Sequence, residues 1–462
     1  MIRVSVEICS GAARFRAAVW AETIERALSL VKARYPRGEA RVIFPIEPEA
    51  YFCDGAVPAS EAIRLEELEE VAGDEHQLSG APSGLSQRRS HTASSVHTEQ
   101  KGRPLKAMVL AAGKGTRLFP LTGEMPKPMA PVVGKPIIQH IFELLAETGL
   151  DEVHVNVHYL ADAILDVYGD TTSVNGMKVC MTREDELVGT AGGVKRIADH
   201  FDDTFVVIMG DALTDVDVRE VVAFHKERGA LATLALMPVA DTAQYGVVEL
   251  GSEQNIVRFQ EKPDPDEAIS NLANTGIYVL EPEVLGYIPE NTFFDFAKDV
   301  FPRLLAAGEK LAGYEGSFYW SDIGTLEAYR AAQHDALSGK VRLNIPGERR
   351  AEGLWVESGV RIHPTAAIEG RVVLSQDAVI GRGVTLIGDV TVGSDCWVRS
   401  GATIKQSILL PGSYVGDDAY LEGCIVGHGY DVRAGEQIRG GALVRHTRLG
   451  SSSRQNGSNY AA

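Results

Sequence analysis

Between Lys106 and Pro128 the chain reads KAMVLAAGKGTRLFPLTGEMPKP. An apolar run closing on Ala111 and Ala112 passes into Gly113-Lys114-Gly115-Thr116-Arg117, a turn so stripped of side-chain bulk that backbone N–H groups can approach a phosphate closely. Lys114, Arg117 and Lys127 supply compensating cations in the same stretch. The chemistry favoured is the handling of phosphate polyanions. Glycine turns are common, and this one is neither a Walker A loop, lacking GK[ST], nor a dinucleotide fingerprint, lacking GxGxxG. A second candidate is Asp211, which follows the apolar run Phe205–Met209. Its carboxylate is expected at the C-terminal edge of a sheet, where a hard Mg²⁺ ion can bridge phosphates. His154 and His158 flank Asn156 on a strand and read as sheet-edge positions rather than as a metal pair.

The elements that must position these groups are legible from periodicity. Buried-type strand runs fall at Lys106–Ala112, Glu152–Val157, Phe205–Met209, Ala232–Met237 and Thr275–Leu280, with amphipathic helices such as Ile137–Thr148 and Val216–Arg228 between them. Apolar strands alternating with helices predict an α/β domain with a mainly parallel sheet covered on both faces, and ligands in such sheets bind at the carboxyl ends of the strands. Beyond it a repeat begins. Every sixth residue from Ile362 is aliphatic: Ile368, Leu374, Ile380, Leu386, Val392, Val398, Ile404 and Leu410 follow, and after slips of one the series runs through Val415, Leu421, Val426, Val432 and Ile438. A hexapeptide period predicts a left-handed parallel β-helix of four to five coils, each aliphatic residue pointing at the axis. Gly381, Gly383, Gly388, Gly393, Gly401 and Gly416 are expected at its corners, where special backbone angles are needed.

Ahead of both lies a small α/β module in residues 1–75, with strands at Ile2–Ile8 and Arg41–Ile46 and a helix carrying Ile24, Leu28, Val31 and Tyr35. Its chemistry is unreadable. Residues 76–103, rich in Ser, Gly, Gln, His and Thr, read as a flexible linker, and 448–462 as a polar tail. The central domain is then 104–337 and the β-helix 338–447.

With 462 residues and a hydrophobic fraction of 45%, the chain has enough apolar material for a core in each domain. A net charge of −18 argues against nucleic acid or an anionic membrane as partner, since both need an excess of Lys and Arg. Five cysteines with no CxxC pair suit reduced thiols, and no apolar run approaches a membrane span, so a cytoplasmic protein is expected.

Taken whole, the Lys106–Pro128 stretch resembles LAAGxGTRLxPLTxxxPKP, the signature of the sugar-phosphate nucleotidyltransferases, or nucleoside-diphosphate-sugar pyrophosphorylases; every fixed position is present. The resemblance continues through VGTAGGVKRI (Val188–Ile197), VVIMGDALTD (Val206–Asp215), YGVVEL (Tyr245–Leu250), FQEKPD (Phe259–Asp264), NTGIYVLEPEVL (Asn274–Leu285) and FYWSDIGTLEAY (Phe318–Tyr329). With the β-helix, the layout looks most like bacterial mannose-1-phosphate guanylyltransferases.

That resemblance implies a Rossmann-like catalytic domain in which a sugar-1-phosphate oxygen attacks the α-phosphorus of an NTP and pyrophosphate leaves. It implies GTP and mannose-1-phosphate as substrates, with glucose-1-phosphate and UTP or dTTP as the alternative. Arg117 and Lys127 correspond to the residues on the reacting phosphates. Ala111, Ala112, Gly113, Lys114, Gly115, Thr116, Gly189 and Thr190 correspond to the nucleotide site, Thr190 having a plainer reading as a helix cap. Gly246, Glu261, Lys262, Asn274 and Thr275 correspond to the sugar-phosphate site, and Asp211 with Asp322 to the Mg²⁺ ligands. The β-helix is expected to pack on the catalytic domain and to mediate homo-oligomerisation. Phe119 stands where many guanylyltransferases carry a basic residue. A non-catalytic regulatory subunit of this fold would have lost signature cations or carboxylates, whereas Arg117, Lys127, Asp211, Lys262 and Asp322 are all present. An acyl-transferring β-helix, using His363, His428 or His446 as base, is the remaining alternative.

Overall fold

A computed structural model describes residues 105–445 throughout and four strands ahead of them; the chain divides into two compact units, residues 1–98 and 99–462. In the first, β1 (Ile2–Ser10), β2 (Ala13–Ala21), β3 (Glu39–Val42) and β4 (Ala62–Glu66) form an antiparallel sheet in the order β3-β1-β2-β4. The strand at Ala13–Ala21 was not among the expected elements. It pairs antiparallel with β1 from Ile2↔Ala21 to Ser10↔Ala13. The expected helix around Ile24–Tyr35, the 76–103 linker and the 448–462 tail lie outside the described residues.

In the second unit the expected strands form at β5 (Lys106–Ala111), β6 (Glu152–Val157), β9 (Phe205–Met209), β10 (Ala232–Pro238) and β13 (Leu272–Leu280). They are joined by β7 (Thr171–Val174), β8 (Met177–Arg183), β11 (Gly246–Leu250), β12 (Ile256–Glu261) and β14 (Leu311–Glu315). The order is β12-β11-β13-β9-β5-β6-β8-β7, with β10 pairing to both β13 and β14. The centre, β9-β5-β6-β8, is parallel; β13 runs antiparallel to β9, β10 and β11, so the sheet is mixed. Side-chain alternation explains the apolar runs. Ala107, Val109 and Ala111 pack on one face and Met108 and Leu110 on the other, all buried. Helix α1 (Ile137–Glu147) covers the first face with Ile138, Ile141, Phe142 and Leu145, spaced as one helical stripe. His154 is not at a sheet edge as expected: it lies buried on the interior strand β6, its ring against that of His200, while His158 Nδ1 meets the Glu184 carbonyl, so the two histidines do not converge. Among the described residues no helix is long and apolar enough to cross a membrane.

From Leu354 the chain winds as a parallel β-helix whose three faces are built from strands Leu354–Val356 to Ala442–Leu443, Arg361–Ile362 to Asp431–Val432, and Ala367–Glu369 to Gln437–Arg439. The second and third faces have five strands each, in line with four to five coils. One expected inward residue is corrected. Leu374 pairs with Val392, eighteen on, but Val392 pairs with Leu409, seventeen on. The five-residue step therefore falls between Ile404 and Leu409, one hexad earlier than the count placed it. Leu409 enters the axial core, and Leu410 turns out into a different cluster. The glycines divide likewise: Gly383, Gly388 and Gly401 have positive φ, as expected of corners, but Gly381, Gly393 and Gly416 do not. A Cβ on any of those three would lie within 2.8 Å of the backbone of the next coil, so close stacking accounts for them.

The outward row of the first face, Val373, Ile408 and Ile425 with Leu410, is also buried. It packs on Ala332, Ala336 and Leu337 of the helix spanning Leu326–Ser338 and shares one apolar cluster with Leu118, Leu121, Leu213 and Ile323. Four further helices come first in the chain: α2 (Ala161–Tyr168), α3 (Gly189–Arg196), α4 (Val218–Arg228) and α5 (Phe301–Ala306); α6 spans Leu326–Ser338. At the centre of this joint Gln333, 3% exposed, accepts from Val133 N (2.9 Å) and Thr391 Oγ1 (3.3 Å) and donates to the Pro131 carbonyl (2.7 Å). Gln333→Leu would strand the Val133 N–H and the Thr391 hydroxyl away from water. A loss of about 2–3 kcal/mol is expected, read from the urea midpoint; an unchanged midpoint would show that the joint is not held by these bonds.

Candidate active site

The loop after β5 owes its shape to three short turns, Thr116–Leu118, Leu121–Gly123 and Lys127–Met129, pinned by buried Leu118 and Leu121. Gly115 has φ +59°, and a Cβ there would lie 2.7 Å from Lys127 Cβ. The glycine turn is thereby folded directly against Lys127, and Thr122 Oγ1 fastens it by donating to the Gly115 carbonyl at 3.0 Å. Lys114 and Thr116 are exposed on the rim.

Two carboxylates meet the lysine. Asp211 arrives from the end of β9, and Asp322 from the turn after the two-residue strand Trp320–Ser321, which pairs with Leu213–Thr214. Lys127 Nζ lies 3.1 Å from Asp211 Oδ2 and 2.9 Å from Asp322 Oδ1. Arg117 completes the group, donating to Asp322 Oδ2 at 2.6 Å and to Gln244 Oε1 at 3.3 Å. Ile323, fully buried, holds φ +50°, a conformation that costs a β-branched residue energy and is tolerated here because its side chain anchors Asp322 to the apolar cluster. Burial alone would lower the pKa of the Lys127 ammonium, but the Asp211 and Asp322 carboxylates more than reverse this and hold it above its usual value. Burial likewise works to raise Asp322, and the Lys127 and Arg117 cations overcome it, keeping that carboxyl below the usual range.

A second polar group lies on β11, β12 and β13. A Cβ on Gly246 would lie 2.7 Å from Glu261 Oε2, so the missing side chain is what admits the Glu261 carboxylate. Burial lifts the Glu261 carboxyl above its usual range while Lys262 pulls it down. Lys262 itself has φ +47°, with its N–H on the Tyr245 carbonyl at 3.1 Å and its side chain mostly in solvent. Asn274 donates to Tyr278 Oη at 3.0 Å and accepts from Gly276 N. Thr275 does not join this group through its side chain: it is buried, and its hydroxyl is spent on the Ala235 carbonyl at 2.8 Å. Tyr245 links the two groups. Burial first, then the Asp322 charge, raises its phenol pKa, and its ring meets Trp320 edge to face at 5.2 Å.

The Gly189–Gly193 stretch opens α3, but its small residues make room for protein. Cβ atoms at Gly189, Gly192 and Gly193 would meet the Phe294 carbonyl at 2.3 Å, the Thr292 carbonyl at 2.9 Å and Asn156 Nδ2 at 2.7 Å. Thr190 does not cap the helix. Its hydroxyl donates to Asp295 Oδ2 at 2.8 Å and accepts from Phe296 N at 3.0 Å, so Gly189 and Thr190 offer a ligand their main chain only. Four residues went unread in the sequence. Asn156 accepts from Ala111 N at 3.0 Å and donates to Glu184, fixing the start of the glycine turn. Gln244 and Tyr245 border Arg117 and Asp322, and Asp295 holds Thr190. Of these, Asn156 stands inside the strand run that periodicity picks out and Tyr245 inside a stretch that the family resemblance picks out. Of the β-helix histidines, His363 pairs with Thr365 at an exposed corner, burial and then the Arg445 charge lower the pKa of His428, and His446 lies outside the described residues.

Set against known proteins, residues 106–339 match the family described as nucleotidyl transferase, and residues 368–452 match the GMPPB C-terminal domain. The chain belongs to the nucleotidyl transferase family. Within it, the chain is 38% identical over 333 residues to a UTP–glucose-1-phosphate uridylyltransferase of Synechocystis, spanning 69% of this chain and 86% of that protein. It is 33% identical to a mannose-1-phosphate guanylyltransferase of Mycobacterium tuberculosis (65% and 83% covered). A probable mannose-1-phosphate guanylyltransferase 1 of rice is 32% identical over 371 residues, 75% of this chain and 98% of that one. In the central group the formal charges of Arg117 and Lys127 cancel those of Asp211 and Asp322.

Proposed function

We propose that the chain joins GTP and mannose-1-phosphate to give GDP-mannose and pyrophosphate. The observation that carries the reading is the convergence of Arg117, Lys127, Asp211 and Asp322 at the carboxyl ends of β5 and β9, beside the glycine turn. Transfer between two polyanions asks for positioning and electrostatic stabilisation more than for a general base. Lys127, rigid in its buried site, faces the reacting phosphates with a charge that its carboxylate neighbours keep protonated. Arg117, with its side chain 47% exposed, has the freedom to follow charge developing on the α-phosphate and the leaving pyrophosphate. Main-chain N–H groups of Ala112 to Thr116 line the triphosphate, the Ala111 N–H being spent on Asn156, while Glu261 accepts sugar hydroxyls and Lys262 meets the sugar phosphate.

The donor set suits magnesium, which takes hard oxygen ligands and is usually held by one or two carboxylates together with substrate phosphates. Asp211 and Asp322, each about a fifth exposed, would hold it, and it would supply charge neutralisation across the phosphates. The similarity to the GMPPB C-terminal domain and to the guanylyltransferases favours GTP and mannose-1-phosphate. A second reading, glucose-1-phosphate with UTP or dTTP, is favoured by the 38% identity to the Synechocystis uridylyltransferase. The proposed compartment is the cytoplasm, in keeping with the free thiols of Cys180, Cys396 and Cys424. Self-association is proposed through β-helix faces other than the one already packed on α6.

A matrix of GTP, UTP, dTTP, ATP and CTP against mannose-1-phosphate and glucose-1-phosphate, following Mg²⁺-dependent pyrophosphate release, tests both readings. Release is expected to be greatest with GTP and mannose-1-phosphate. A UTP or dTTP preference would overturn the guanylyl assignment, and no release in any pairing would overturn the catalytic one.

A further inference from the structure

Asp322 is doubly committed. Its Oδ1 accepts from Lys127 and its Oδ2 from Arg117, so each oxygen already faces a cation. A divalent ion on this carboxylate must therefore displace a positive group or lie against one, and Lys127, only 4% exposed and shared with Asp211, is not the group that can leave. Arg117 is. Two independent features seat it. Gln244 Oε1 accepts from its NH1, and Gly324 provides the floor: a Cβ at that position would lie 2.9 Å from Arg117 NH1 and 2.8 Å from Asp322 Oδ2. The guanidinium thus has a built seat over Asp322, made by one polar side chain and one missing one.

We propose that Gln244 is a positioning residue that holds Arg117 on Asp322, so that Arg117 and a divalent cation compete for that carboxylate. The inference rests on the metal reading above and adds a consequence to it. A triphosphate that draws Arg117 away also frees Asp322 Oδ2, and by linkage the triphosphate and the cation then assist each other's binding. Nothing covalent changes; one charge-assisted pair is exchanged for another.

The test is Mn²⁺ binding to the full chain, followed by the loss of the free-ion paramagnetic resonance signal, without nucleotide. Arg117→Gln is expected to bind Mn²⁺ about tenfold more tightly than wild type, because an adjacent positive charge has gone. Gln244→Leu, which leaves Arg117 in place but unseated on one side, is expected to tighten binding about threefold. A gain of affinity is not what damage to the fold produces, so neither result can be mistaken for a merely structural role. Wild-type affinity in Arg117→Gln overturns the competition, and wild-type affinity in Gln244→Leu overturns the role of Gln244. Asp211→Asn and Asp322→Asn separate the two levels: if both bind Mn²⁺ as tightly as wild type, the metal reading itself fails.

Discussion

Replacing Lys127 by methionine is expected to lower kcat/KM by about a thousandfold, the upper range for removing one preorganised charge donor from an active site. Methionine approximates the length of lysine and keeps the fit against Gly115, so the effect isolates the charge. What remains is two carboxylates, Asp211 and Asp322, that shared one ammonium at 3.1 and 2.9 Å and now face each other with only the half-exposed Arg117 nearby. Stability should fall by about 3 kcal/mol near neutral pH, the cost of breaking a buried ion pair from one side.

The pH dependence gives this prediction a sign that mere damage would not have. In the wild type, the lowered Asp322 carboxyl contributes stability that is present above its unfolded value of about 3.9 and is lost as pH falls through the folded value. The raised Lys127 ammonium contributes stability that is complete below about 10.4 and is lost as pH rises through its folded value. In Lys127→Met the carboxylates lose the cation that kept Asp322 low, and burial then pushes that carboxyl upward. Its penalty is relieved by protonation. The gap in urea midpoint between variant and wild type should therefore narrow between about pH 7 and pH 5. A gap that stays constant, with kcat/KM within tenfold of wild type, would reduce Lys127 to a spacer.

How far these groups could be read from the sequence depends on what kind of signal each carries. Asp211 was legible because an apolar strand must end somewhere, and a carboxylate just past its end can only sit at the sheet edge. The glycine turn was legible for the same reason. Asn156, Gln244 and Asp295 were not, since a polar residue in an ordinary strand or loop gives no sign of what lies beside it: Asn156 serves Ala111 from 45 positions away, Gln244 serves Arg117 from 127, and Asp295 serves Thr190 from 105. The family resemblance assigns Gly189 to the nucleotide site, but a small residue reports only that something comes close, and along Gly189–Gly193 it is the 292–294 backbone and Asn156. The β-helix shows a finer limit. Its hexad was plain, but Leu409 and Leu410 are both aliphatic, so only the pairing of Val392 with Leu409 decides which one faces the axis.

Ending the chain at Gly339, just past α6, is expected to abolish cooperative folding of the catalytic domain rather than to trim an accessory. The residues that would be lost include Val373, Ile408, Leu410 and Ile425, which cover α6 from outside. At about 1.5–3 kcal/mol for each fully buried side chain, their removal costs on the order of 6–12 kcal/mol as an upper bound. That is comparable with the whole stability of an ordinary domain, about 5–15 kcal/mol. The loss falls on the site itself, because the same cluster contains Leu118 beside Arg117, Ile323 beside Asp322, and Leu213 two residues after Asp211. Ile323 is the sensitive member: it keeps a positive φ only while its side chain is packed, and relaxing it would swing Asp322 away from Lys127. The shortened chain should lack a cooperative urea transition and show no pyrophosphate release with any substrate pair. Trp397→Ala, by contrast, removes an exposed ring from a different face of the β-helix and should leave both intact. If the shortened chain unfolds cooperatively and turns over at the full-length rate, the β-helix is not what holds Asp322 in place, and the strain at Ile323 must be borne by the catalytic domain alone.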